Sequence, residues 1–348
     1  MHRFNASVAA FALVVPAAFM PPSAVNSAPE PQVPELTAEA WILYDAGAGV
    51  VIASQDADIE RPMASVTKIM TAIVVVENAE LDELVRISAS AAATGEAEIG
   101  LVRGERWSVR DLLAAVMVRS GNDAAVALAE HVGGSVEGFA ELMNAKAAEL
   151  GLEHSQFVNP HGLDTDGHYT SAADLVVMAE VALQDPYLAR LARTSRITFK
   201  PDPSGVSRVA NNTNRLLGIY PGIAGLKTGF TNDAGRVLVS VLERKGQTLI
   251  GVVMGSEDHF DDSRRLLDYG HEFLNLKGRF LAPLVEEEGG GGTPGIPSLD
   301  RLDRLAALMA PSLPDGQWSV GEFRDSGLGR SIETWFRSAM PVVAGGAP

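Results

Sequence analysis

The chain has 348 residues, 46% of them hydrophobic, enough material for one large domain or two. It has no cysteine, which excludes thiol catalysis, disulfide frameworks and cysteine-ligated metals. A formal charge of −16 argues against nucleic acid as a partner and gives anionic membranes nothing to attract.

Residues 1–28 differ from the rest. His2 and Arg3 precede an apolar run from Val8 to Met20, then small and polar residues follow in "PPSAVNSAPE". The run is short for a bilayer span, and its layout is that of a secretory signal peptide cleaved near Ser27 or Ala28. If kept, the same stretch would be an anchor. Export to a periplasmic or extracellular location is therefore expected, where ATP and nicotinamide cofactors are scarce. Hydrolytic chemistry without a cofactor is the better expectation.

From Ala40 to Ala53 two apolar runs flank Asp45-Ala46-Gly47-Ala48-Gly49, a β-hairpin pattern. A helix apolar on nearly all sides starts near Ser65 and carries one charge, Lys68. Ser108 to Arg119 reads as a helix with Ser108 and Asp111 in a capping box. "SGND" at 120–123 breaks the chain, and Ala124 to Val132 forms another helix, ended by Gly133-Gly134. Helices are also predicted at Val136 to Leu150 and Ser171 to Leu183. Residues 235–256 form a strand hairpin turned at Lys245-Gly246, and Asp261 to Leu276 a closing helix. Strands at both ends with helices over about 86–195 predict one sheet built from distant segments and carrying a helical insertion, within a domain spanning 29–285. Residues 286–348 read as a glycine-rich linker and a tail. Residues 299–348 carry five Arg against six acidic residues, so no basic face supports membrane attachment.

Three short motifs carry chemistry. Ser65 and Lys68 share a helical face, and an amine in an apolar setting loses its proton more readily, which makes it a usable base for the hydroxyl. Alone, the pair reads as a helix-capping serine and a snorkelling lysine. Ser120-Gly121-Asn122 alone is an ordinary turn. In "GLKTGFT", Lys227 and Thr228 have the chemistry to hold a carboxylate, and Gly229 lets a substrate backbone approach; alone, K-T-G is a strand edge with a turn. His154, His161 and His168 fit no metal-ligand spacing and are read as structural, so no metal site is assigned.

The ordered set S-x-x-K, S-x-N, K-T-G is named for penicillin-binding proteins and class A β-lactamases. With "RPMASVTKIMTA", "SGNDAAVALAEHVGGS", "FVNPHGLD", "HYTSAADL" and "GLKTGFTNDAG", the chain from about Ala40 to Leu276 resembles the low-molecular-mass penicillin-binding proteins, the serine-type D-Ala-D-Ala carboxypeptidases. The resemblance implies an α/β (α+β) fold of the β-lactamase/transpeptidase-like type: a mainly antiparallel sheet flanked by helices, with a helical subdomain inserted. It implies peptidoglycan stem peptides ending in D-Ala-D-Ala as substrate, β-lactams as inhibitors, and an acyl-enzyme on Ser65 with Lys68 as base. Ser120 would relay a proton to the leaving amine. Asn122 would bind substrate backbone, Lys227 and Thr228 the terminal carboxylate, and the N–H groups of Ser65 and Phe230 the oxyanion. A β-lactamase is disfavoured, since no E-x-x-L-N pattern follows Asn122. A D,D-endopeptidase and a non-catalytic β-lactam sensor or scaffold are the alternatives. Alignment on "LLDYG" puts His259 where this family usually has a carboxylate-binding arginine, which throws that task on Lys227, Thr228 and Arg264 or Arg265.

Overall fold

The structure, a computed structural model, describes residues 31–199 and 207–286, with side chains to 276. The predicted signal peptide and almost all of the predicted linker and tail lie outside the described residues. In chain order the elements are β1 (Ala40–Asp45), β2 (Val50–Gln55), α1 (Lys68–Asn78), β3 (Leu84–Arg86), α2 (Ala89–Ala93), β4 (Arg106–Ser108), α3 (Val109–Ala114), α4 (Asn122–Gly133), α5 (Val136–Glu149) and α6 (Ala172–Gln184). Then come α7 (Pro186–Ala192), β5 (Arg196–Thr198), β6 (Val209–Asn211), β7 (Ile223–Thr231), β8 (Gly235–Arg244), β9 (Gln247–Ser256) and α8 (His259–Glu286).

Five strands form one antiparallel sheet in the order β2-β1-β9-β8-β7. The first hairpin thus pairs with β9, the last strand among the described residues, Ile42 opposite Val252. Alternation along the strands sorts the side chains into two layers. Val237, Val239, Val241, Ile250, Val252 and Met254 join the larger core with α1 and α6. Leu238, Leu242, Leu249 and Val253 face the other way, with Trp41 and Leu43, onto Leu266 and Leu267 of α8. At ~1.5–3 kcal/mol for each large apolar side chain taken from water, both layers hold the sheet between helices.

Local signals explain most helix ends. Ser108 Oγ accepts from the Asp111 N–H at 3.1 Å, the predicted cap, and Ser135 and Ser171 cap α5 and α6 in the same way. Gly134 ends α4 in the left-handed region, φ 74°. The predicted helix to Arg119 is interrupted: α3 stops at Ala114 and a π-helical turn covers Ala115–Arg119. This turn delivers Ser120 in a left-handed conformation, φ 67°, which costs an ordinary residue about 1–2 kcal/mol. Wider turns of this kind recur at functional sites. The closing helix runs to Glu286, past the predicted end at Leu276; a single Gly278 costs about 1 kcal/mol and does not stop it.

Candidate active site

The K-T-G segment lies within β7, an edge strand of the sheet, not in a turn beside it. Facing it is a 3-10 turn, Ala64–Thr67, that lifts Ser65 just ahead of α1. Gly229 is where the two meet. A Cβ there would stand 2.9 Å from Ala64 Cβ and 3.0 Å from Ser65 N. The glycine expected to admit a substrate backbone also admits the turn that carries Ser65.

Lys68 is 0% exposed. Its Nζ is 2.9 Å from Ser65 Oγ, 2.8 Å from Asn122 Oδ1 and 2.5 Å from the main-chain oxygen of His161. The last two oxygens only accept hydrogen bonds. A neutral amine has two hydrogens for them and one lone pair left for the Ser65 hydroxyl. Burial drives the Lys68 pKa well below its ordinary value, and the Lys227 charge pushes it further the same way. Geometry and electrostatics both suit an unprotonated amine beside a hydroxyl.

Lys227, 1% exposed, donates to Ser120 Oγ at 3.0 Å and to the Thr228 main-chain oxygen at 2.9 Å. Burial alone lowers its pKa, to about 7. Both amines are pushed toward losing a proton, and their mutual repulsion disfavours holding two charges at once.

Asn122, predicted to bind substrate backbone, is turned inward. Its oxygen accepts from Lys68 and its Nδ2 donates to the Gly95 main-chain oxygen at 3.0 Å. At 2% exposed it holds the Lys68 amine in place. Its neighbour Asp123 accepts from the N–H groups of Ile99 and Leu101 and fixes the 97–101 segment.

The histidines of the middle segment are structural. Val158 N–H donates to His168 Nδ1 at 3.0 Å, so Nε2 carries the hydrogen and donates to Thr67 Oγ1 at 2.8 Å. Thr67 Oγ1 in turn donates to the Ala64 main-chain oxygen at 2.7 Å, bracing the nucleophile turn. Burial holds His168 at about 4 and His161 at about 3, so both are neutral near pH 7. His154, half exposed, sits 3.9 Å from Glu60 and apart from this pair.

Above these groups a cavity of about 550 Å³ is lined by Ser65, Ser120, Thr228, Gly229 and Phe230, and also by Arg119, Thr213, Arg215, Arg236 and His259. Thr228 donates to Thr213 Oγ1 at 2.7 Å. Arg264 and Arg265, expected to replace the missing arginine, are bound to Asp261 and do not line the cavity. Sequence reasoning missed Arg215, Arg236, Thr213 and the His161 carbonyl. Arg215, Arg236 and Thr213 lie outside the quoted motifs, and the His161 main-chain oxygen, though within "FVNPHGLD", has no residue type to betray it.

The profile of the D-alanyl-D-alanine carboxypeptidase family matches residues 26–258. D-alanyl-D-alanine carboxypeptidase DacF of Bacillus subtilis is 35% identical over 63% of this chain and 57% of its own length. DacC of Escherichia coli is 34% identical over 73% of this chain and 66% of its own. The chain thus spans under two thirds of these curated relatives. The crystal structure of the Streptomyces K15 DD-transpeptidase is 32% identical, with a TM-score of 0.66, over 69% of this chain and 99% of that one. D-alanyl-D-alanine carboxypeptidase DacD of Francisella tularensis is 29% identical, with a TM-score of 0.65, over 69% of this chain and 71% of that one. With a profile match over most of the chain, and a nucleophile turn, buried lysine pair and strand-borne K-T-G arranged around one cavity, the chain belongs to the D-alanyl-D-alanine carboxypeptidase family.

Proposed function

We propose that this protein is a serine D,D-carboxypeptidase that removes the terminal D-Ala from peptidoglycan stem peptides and is inhibited by β-lactams. The observation that carries the reading is the 2.9 Å approach of Ser65 Oγ, in the cavity wall, to a fully buried Lys68 behind it. Ser65 Oγ attacks the carbonyl carbon of the penultimate D-Ala while Lys68 Nζ takes its proton. The oxyanion is held by the main-chain N–H groups of Ser65 and Phe230. Ser120, whose oxygen accepts from Lys227, passes its own proton to the departing D-Ala amine and regains one from the lysines behind it. Water then attacks the ester and frees Ser65. A β-lactam enters the same path, but its amine stays tethered and the ester persists. The layout of residues 1–28 supports export to the outer face of the cell, where such peptides are found. Among the described residues no helix is long and apolar enough to cross a membrane.

A fluorescent penicillin should label the full chain on Ser65, and Ser65→Ala should abolish the labelled band. The same protein should release D-Ala from a peptide ending in D-Ala-D-Ala with a chelator present. Labelling that survives in folded Ser65→Ala protein defeats the assignment, and so does activity that a chelator removes and zinc restores.

The likeness to a DD-transpeptidase supports a second fate for the ester, attack by an amine in place of water. Adding glycine or a D-amino acid during turnover, and separating the products, measures how the ester divides between the two.

A further inference from the structure

The proposed substrate ends in a carboxylate, yet the cations that the motifs offer for it are not in the cavity wall. Lys227 is buried, with its Nζ on Ser120 and the Thr228 main-chain oxygen. Arg264 and Arg265 are tied to Asp261. His259 does line the cavity, but burial is the main cause that holds its pKa at about 4, so near pH 7 it brings no charge. Two guanidiniums stand beside it instead. Arg215, from the segment ahead of β7, lies over the Phe260 ring at 6.0 Å; Arg236, from β8, lies over the Phe230 ring at 5.7 Å. Their positive charge is felt at His259, where both lower its pKa.

Neither arginine takes part in an ion pair among the described residues. Arg236 donates one hydrogen bond, to the Glu257 main-chain oxygen at 3.1 Å, and has further N–H groups to offer. The cavity also holds the acids Glu257 and Asp258, but Asp258 already accepts from the N–H groups of Phe260 and Asp261. Three arginines, Arg119 included, face these two carboxylates. The aromatic rings hold the two guanidinium planes in place, and a guanidinium is the side chain best matched to a carboxylate.

We propose that Arg215 and Arg236 together form the carboxylate anchor of this cavity, gripping the C-terminal carboxylate of the peptide whose bond Ser65 attacks. The proposal rests on the D,D-carboxypeptidase reading for the identity of the ligand. It makes substrate capture a property of two side chains from separate segments, with a neutral His259 lining the same cavity.

The test is a cycle that removes the charge from either side. In the full chain carrying Ser65→Ala, binding of diacetyl-L-Lys-D-Ala-D-Ala is compared with that of its C-terminal amide, by NMR titration at low and high salt. The acid should bind about tenfold tighter than the amide, a difference worth ~1.4 kcal/mol. In the Arg215→Gln/Arg236→Gln background the ratio should fall to near one, and His259→Arg added to that background should restore part of it. A ratio that survives loss of both arginines overturns the proposal. So does a ratio lost in Arg119→Gln alone, or no preference for the acid in the starting protein. These are binding readouts. Failure of the enzymatic reading would instead appear as absent D-Ala release by the chain with Ser65 intact.

Discussion

Lys68→Arg is expected to lower acylation of Ser65 by roughly 10²–10⁴-fold, the usual worth of general-base help. The change keeps a cation in place but removes the proton acceptor, because guanidinium does not deprotonate near neutral pH. Lys227→Arg, the same chemical change at the other buried lysine, should retain measurable acylation, since Lys227 acts as the charged partner of Ser120. The pH profile separates the two further. Lys68 must be neutral to accept a proton, so activity falls on the acid side as it becomes protonated. Lys227 must be charged, and its pKa of about 7 places a second loss on the alkaline side. In Lys227→Arg the alkaline loss should disappear, because arginine keeps its charge. Stopped-flow acylation by a fluorescent penicillin between pH 5 and about 10 measures both limbs. Both variants must first match the parent in circular dichroism and melting. Equal tolerance at both sites would remove Lys68 as the base, and greater sensitivity at Lys227 would exchange the roles.

Gly162→Ala should destabilise the fold and disable the site together. Gly162 has φ +87°, and a Cβ on it would stand 1.9 Å from the Ala64 main-chain oxygen and 2.7 Å from Thr67 Oγ1. The first feature costs about 1–2 kcal/mol for a non-glycine residue, and forced overpacking about 1–3 kcal/mol more. For a domain of this size each kcal/mol lowers Tm by roughly 2–4 °C, so a fall of about 4–20 °C is expected. Gly151→Ala is the control: its φ is +70°, but nothing lies within 4 Å of the added Cβ. It should show the backbone part alone, with acylation unchanged per folded molecule. Gly162→Ala should also acylate slowly when folded, because the displaced 161–162 segment carries the main-chain oxygen that receives a hydrogen from Lys68. Similar Tm losses for the two variants, with acylation intact in both, would show that the nucleophile turn tolerates the methyl group.

Much was legible in the sequence because much is encoded by near neighbours. The apolar, β-branched runs in "GRVLVSV" and "TLIGVVM" mark the two strands, and Lys245-Gly246 turns them where expected, with φ 51° and 78°. The Ser108–Asp111 cap, the Gly134 stop and the Ser65–Lys68 spacing are all local, satisfied within one turn of chain. The order of the three motifs identified the family before any contact was known.

Other features arise only when distant segments meet. Asn122 is a polar residue at a helix start in any sequence reading; folding turns its oxygen onto Lys68, 54 residues away. The His161 main-chain oxygen, 93 residues from Lys68, has no signature at all, since every residue carries one. Gly229 looked like room for a ligand; it lines the cavity, and only packing shows that Ala64 and Ser65 are also seated against it. The rim charges show the same limit. Arg264 and Arg265 lie close in sequence to the position lacking its arginine, yet a carboxylate three or four residues away on their own helix claims them. Arg215 and Arg236 reach the cavity because β7 and β8 pair and because the 212–216 segment is fastened to β7 through Asn214 Nδ2 and the Gly225 main-chain oxygen at 3.2 Å. The sequence by itself determined which elements form and which motifs they carry, since helix and strand periods and their caps are short-range. The tertiary structure alone decided how far each lysine is pushed from its ordinary pKa and which cations line the cavity, because burial and Coulomb interaction depend on distance in space, not along the chain.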